Sequence, residues 1–147
     1  MVIPNDTHQI WSHLQEIQDE FAAAFHMPIM LVDASSIPVI KPFRWMSECP
    51  LGEEMGHSSI PPEILQRHVE SMVLACREFS DTAISESPRS GYVTMALPFW
   101  VEGYFWGAWI VECIQSVIRE NNISHKEMIL WLKRESHDLA IFFEVSA

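Results

Sequence analysis

Apolar residues recur at helical spacing near the start of the chain. Ile10, Leu14, Ile17, Phe21 and Ala24 are separated by four, three, four and three positions, with Trp11 and Phe25 alongside. This spacing predicts a helix over residues 6–25 with a narrow apolar stripe, and Asp6 or Thr7 offers a cap. The stripe has two readings: a helix packed on its own domain, or a short heptad-like seam to a second copy. Two short Ile/Val-rich segments follow, Met27 to Asp33 and Ile37 to Phe43, separated by Ala34-Ser35-Ser36. They read as a hairpin whose turn is made by Asp33 and the serines. Pro38 and Pro42 lack the backbone donor a ladder needs, so the second strand belongs at an edge or ends early.

The period is lost over residues 44–60, which hold Trp45, Cys49, Gly52, Gly56 and His57. A loop of this length is often functional. Pro61 and Pro62 then open a helix, with Ser58 or Ser59 as the expected cap and Glu63 in the first turn. Ile64, Leu65, His68, Val69, Met72, Val73, Cys76 and Phe79 make one wide face of it. Residues 80–90 are polar, with Ser, Asp and Pro, and read as a connection.

The stretch from Gly91 to Cys113 is a long apolar hairpin, with four aromatic residues between Trp100 and Trp106. Two turns are possible, a two-residue loop at Glu102-Gly103 or a three-residue loop at Val101-Glu102-Gly103. A slip of one residue exchanges faces, so the apolar pattern selects the register. The three-residue loop is preferred. It puts Val93, Met95, Leu97, Phe99, Phe105, Gly107, Trp109, Val111 and Cys113 on one face, and Thr94, Trp100, Tyr104, Trp106 and Glu112 on the other. Gly107 then leaves a gap where a helix or ligand could approach. The last segment, 124–143, is a helix opened by the capping box Ser124-His125-Lys126-Glu127.

The order is helix, two strands, loop, helix, two strands, helix. It predicts one α+β domain over residues 1–147, with a central antiparallel sheet over 27–113 that carries an inserted loop and helix, flanked by the terminal helices.

The chain of 147 residues has nine Lys plus Arg against twenty Asp plus Glu, a formal charge of −11. Its scattered cations argue against direct nucleic-acid binding and against an anionic membrane surface. No apolar run spans a bilayer and no signal peptide is evident, which predicts a cytoplasmic protein. Cys49, Cys76 and Cys113 form no Cys-x-x-Cys pair and read as reduced thiols, with a redox switch at Cys49 as a lesser option.

Three segments resemble the GAF/PAS-like sensory superfamily, with the PocR-type sensory domain as the nearest variant. Phe25-His-Met-Pro-Ile-Met-Leu-Val-Asp33 is similar to the family's opening strand. Ala96-Leu-Pro-Phe-Trp-Val-Glu-Gly103 and Tyr104-Phe-Trp-Gly-Ala-Trp-Ile-Val111 are similar to its later hairpin. The resemblance covers roughly residues 8–115. Two departures stand out: Pro88 occupies the position three before Gly91 where PocR-type domains tend to carry Cys, and photoreceptor signatures are missing, so no bilin is carried over. The resemblance implies a small-molecule or cofactor pocket between the sheet and the middle loop and helix. It also implies homodimerisation through terminal helices, and signalling, as in transcription regulation, without catalysis.

No nucleophile elbow, metalloprotease motif, phosphate loop or dinucleotide fingerprint is present in the sequence, which argues against an enzyme. His68, Met72 and Cys76 share one face of the middle helix at spacings of four. They are packing residues on one reading. On another, His57, His68 or Cys49 coordinates a metal or a haem iron walled by the aromatic hairpin. The expected ligand site comprises Trp45, Cys49, His57, His68, Met72, Cys76, Met95, Leu97, Phe105, Gly107 and Trp109. The function expected is a sensory domain that binds a small apolar ligand or cofactor and signals through the terminal helices of a dimer. A haem or metal sensor and a ligandless dimerisation or docking module are the alternatives.

Overall fold

The computed structural model describes residues 7–41, 61–88, 91–114 and 125–146. Three helices and four strands form in the order α1 (Thr7–Phe25), β1 (Ile29–Asp33), α2 (Pro62–Phe79), β2 (Ala83–Glu86), β3 (Tyr92–Val101), β4 (Tyr104–Ile114) and α3 (His125–Ser146). The strands make one sheet in the order β1-β4-β3-β2, and all of its pairings are antiparallel. The fold is α+β, as the sequence predicts.

Burial explains why the central strands read as nearly unbroken apolar runs rather than alternating ones. Both faces of the sheet are covered, so residues of either parity are removed from water. On one face, Met95, Leu97, Phe99, Trp109, Val111 and Cys113 pack with Leu14, Ile17 and Phe21 of α1 and with Met128 and Leu132 of α3. On the other, Val69, Met72, Val73 and Cys76 of α2 pack on Met30, Val32, Ala96, Ala108 and Ile110. The molecule is thus three layers, with the terminal helices on one side of the sheet and the middle helix on the other. The α1 stripe belongs to its own domain's core: Leu14 and Phe21 are fully buried. Those side chains are unavailable to a seam with a second copy, while Ala24 of the same stripe is exposed.

The β3–β4 turn corrects the expected three-residue loop. Val101 pairs with Tyr104, so the loop is the two residues Glu102 and Gly103, with φ of 50° and 81°. Two successive left-handed residues are what a tight hairpin turn requires. The faces deeper in the ribbon are nevertheless the expected ones, with Met95 and Val111 on one and Thr94 and Glu112 on the other, although the pairing is shifted by two residues from the one a three-residue loop would give. A bulge reconciles the two. Phe99 pairs with Gly107 while Trp100 pairs with Phe105, which leaves Trp106 as the extra residue. Phe105 therefore faces the α2 layer and Trp106 faces the terminal-helix layer, the reverse of the expected assignment.

The expected first hairpin is also corrected. Asp33 and the serines do make the turn: the Asp33 carboxylate accepts from the backbone N–H of Ser35 (2.8 Å) and of Ile37 (3.1 Å). Beyond it there is only an isolated bridge between Val32 and Pro38 among the described residues. The bridge is closed by bonds from the Asp33 N–H to the Ile37 carbonyl and from the Val39 N–H to the Leu31 carbonyl, so Pro38 occupies the position that needs no donor towards β1; residues 42–60 lie outside the described residues. The fourth strand comes instead from 83–86, inside the stretch expected to be a connection. Being a short, mostly exposed edge, it has little apolar pattern to betray it. For α2, the cap position is Pro61, which makes no side-chain cap bond. The caps expected from Ser58, Ser59, Asp6 and Ser124 lie outside the described residues.

Candidate functional site

Helix α2 sets the site. Its buried residues Val69, Met72, Val73 and Cys76 follow the three–four spacing of one helical face, which lays that face on β1, β4 and β3. His68 borders this stripe and is half-buried. Its Nε2 lies 2.8 Å from the Thr94 hydroxyl on β3. The Thr94 hydroxyl in turn donates to Oε2 of Glu112 on β4 at 3.0 Å. Thr94 and Glu112 are cross-strand partners, and both are fully buried. A histidine, a hydroxyl and a carboxylate thus form one polar chain running from the helix into the centre of an apolar sheet. Polar groups removed from water are stable only when bonded in this way.

Burial pushes the His68 imidazole below its ordinary value and favours the neutral ring. It drives the Cys76 thiol up to about 11, and that thiol donates to the Val73 carbonyl at 3.3 Å. Cys113, on the opposite face, is pushed up to about 12 by burial and by the neighbouring Glu112 charge. Neither buried thiol has the thiolate character that nucleophilic or metal-binding cysteines need.

Ala96 and Ala108 are the smallest side chains of the α2-facing layer and sit on the two central strands. At the end of the layer nearest the C-terminus of α2, Arg77 stacks over the Phe105 ring at 5.3 Å. Trp100 meets the same ring edge-on at 5.3 Å.

Among the described residues, those nominated from sequence are divided between the two faces of the sheet. His68, Met72, Cys76 and Phe105 lie on the α2 face, with Thr94 and Glu112 added by the structure. Met95, Leu97, Gly107 and Trp109 face the terminal helices instead. There Trp109 is fully buried, and its indole N–H donates to Ser136 of α3 at 2.8 Å. Gly107 does not border an opening. A Cβ placed on it would collide with the Val32 carbonyl oxygen of the neighbouring strand, so glycine is there for the close approach of β1 and β4. Trp45, Cys49 and His57 lie outside the described residues. Of the nominated metal ligands only His68 is described, and its Nε2 is taken by Thr94. Thr94 and Glu112 escape a sequence reading as site residues, although a glutamate inside Trp109-Ile-Val-Glu-Cys113, sharing a face with Thr94, is the available signal.

A family model for the sensory domain found in PocR matches residues 11–134. The chain belongs to the PocR sensory domain family. No curated protein matches the chain in sequence. Among solved structures, this PocR-type domain is similar to the gliding protein MglB of Thermus thermophilus, with a TM-score of 0.57 and 14% identity over 92% of this chain and 91% of that one. It is also similar to a GAF domain/HD domain protein of Geobacter sulfurreducens, with a TM-score of 0.53, 11% identity and 93% of each chain covered. An IclR homolog from Microbacterium hydrocarbonoxydans complexed with 4-hydroxybenzoate matches with a TM-score of 0.53 and 8% identity, over 94% of this chain and 69% of that one. At these identities the likeness shows the fold alone, which is GAF-like. The PocR-type chain is a sensory domain, and no helix among its described residues is long and apolar enough to cross a membrane.

Proposed function

We propose that this sensory domain binds a small molecule beneath α2 and passes its occupancy through the sheet to α1 and α3. The observation that carries the reading is the buried chain His68–Thr94–Glu112, set in an apolar layer beside Ala96 and Ala108. A site with apolar walls and a few convergent polar groups is the usual build of a small-molecule site. A buried carboxylate is costly in a core that needs only packing, so its presence there favours a recognition role.

The central strand β4 is the proposed path. Its Ala108 and Ile110 touch the α2 layer, while the intervening Trp109 is bonded to Ser136 of α3. A ligand that favours one seating of α2 would shift the population of α3 positions by the difference in its affinity for the two seatings. The readout is proposed to be a homodimer through the terminal helices, where Leu130 of α3 is exposed. The reading gives the domain a binding role rather than a catalytic one.

The test is mass spectrometry of whatever co-purifies, followed by a thermal-shift screen on the wild type and two variants. Ligand binding is expected to weaken in Thr94→Val and to persist in Trp109→Phe. Equal affinity in the wild type and Thr94→Val would reject the α2 site.

A further inference from the structure

β1 is an end strand of the sheet, and residues 34–41 turn back along it as a strap. The strap is bonded closely to the strand it follows. The Asp33 N–H donates to the Ile37 carbonyl and the Ser36 N–H to the Asp33 carbonyl, both at 2.9 Å, and the Val39 N–H donates to the Leu31 carbonyl at 3.0 Å. Asp33 Oδ1 receives the N–H groups of Ser35 and Ile37. Ser36 is buried and has a φ of 64°, a left-handed conformation that a serine keeps only where its surroundings fix it. Strand and strap therefore make one stiff unit.

Both helical layers hold this unit by its carbonyls. From the α2 side, Gln66 Nε2 donates to the Ser36 carbonyl at 3.1 Å. From the other side, Gln18 Nε2 of α1 donates to the Lys41 carbonyl. Gln15, one turn earlier, reaches the same oxygen at 3.4 Å and also bonds Asp19 at 3.1 Å. Gln18 is fully buried, and its amide oxygen has no hydrogen-bond partner among the described residues. A buried amide is costly unless it is bonded, so the Lys41 carbonyl is what makes a glutamine tolerable beside Leu14, Ile17 and Phe21. Val39 and Ile40 pack on the same cluster. Amides from helices on opposite faces of the sheet thus grip the two ends of one strap.

We propose that the strap 34–41 is a conformational tie that makes α1 and α2 respond to each other around the β1 edge of the sheet. Coupling between separated sites travels through bonded and packed elements, and this strap is such an element. A shift of α2 that lifts Gln66 from Ser36 loosens the turn at Asp33. Because turn and strap are bonded as one unit, the disturbance reaches Lys41 and the buried amide of Gln18. This route ends on α1, whereas the path through β4 ends on α3. The tie needs no ligand: any displacement of α2 feeds it. Coupling is reciprocal, so α1 acts on α2 by the same factor.

The experiment is amide hydrogen exchange by NMR on the full chain, comparing the wild type with Gln66→Met, Gln18→Met and the double variant. Methionine keeps the length of each side chain and removes its amide. Gln66→Met is expected to speed exchange about two- to tenfold at Val39 and over residues 15–21 of α1, the size set by one net hydrogen bond, while β3 and α3 keep their wild-type rates. Gln18→Met should do the same around Gln66. In the double variant α1 should exchange no faster than in Gln18→Met alone, since the tie is already cut. Lys133→Met, which removes a contact on the α3 side, should leave α1 unchanged. Gln66 is exposed, so Gln66→Met keeps the fold, and that variant decides the matter by itself: if the strap speeds up while α1 keeps its rates, the proposal falls. It falls as well if the two substitutions act additively on α1, or if exchange rises uniformly over the sheet, as a global loss of stability would make it do. None of these outcomes bears on whether a ligand binds beneath α2.

Discussion

At the scale of single residues, Thr94 is the pivot, since it donates to Oε2 of Glu112 and is the partner of His68 Nε2. Thr94→Val keeps the shape and removes the hydroxyl. It is expected to lower stability by about 1–3 kcal/mol, the usual cost of stripping a partner from a buried polar group. Replacing both strand partners with apolar residues, as in Thr94→Val with Glu112→Met, should cost less than the two single changes together. Urea denaturation of the four proteins checks both statements. His68 adds a pH dependence of definite sign. Its folded value lies below the ordinary 6.5, so its contribution is complete above pH 6.5 and is lost as pH falls towards the folded value. The urea midpoint should therefore drop on acidification from pH 7.5 to 5.5, and drop less in His68→Phe. The position of His68 on the inner helix face is legible from its four-residue spacing with Met72 and Cys76. Its partner is not, because nothing local ties residue 68 to a hydroxyl 26 positions away.

At the scale of elements, strand parity is legible in the sequence and strand phase is not. The alternation of Met95, Leu97 and Phe99 with Thr94 and Ala96 is enough to assign the faces of β3, and the aromatic run from Trp100 to Trp106 is not. Every residue of that run except the turn is large and apolar, so no polar marker records where one face gives way to the other. The sequence therefore supports two turns, and the structure uses the shorter one together with a bulge. Gly107 is ambiguous for a related reason: a missing side chain on a buried face looks the same whether the space is empty or occupied by backbone. The Val32 carbonyl occupies it. Gly107→Ala is expected to destabilise the domain by up to about 3 kcal/mol, as overpacking does. The loss should show first as faster amide exchange in β1, where pairing to β4 is strained.

At the scale of the whole molecule, the two helical layers touch opposite sides of one sheet. The Trp109–Ser136 bond ties the central strand to α3. Lys133 of α3 reaches Asp81, just past the end of α2, at 2.8 Å. That bond holds the Asp81 carboxyl below its ordinary value. The ion pair is open to solvent, so Lys133→Met should change stability by less than about 1 kcal/mol. Ser136→Ala should cost about 1 kcal/mol and loosen α3 in amide exchange. Leu130→Glu should convert the proposed dimer to monomer in light scattering without changing the melting of the monomer.

The surplus residue in β4 has a meaning for how this hairpin can change. The turn at its tip counts in one phase and the core at its base counts in the other, and Trp106 is the half-step that lets both be obeyed. Lengthening or trimming the tip by a pair of residues would keep both counts. Removing a single one, Trp106 itself, would make the count even: the two-residue turn and the pairing at the base would both survive without the bulge, and Thr94 would still face Glu112.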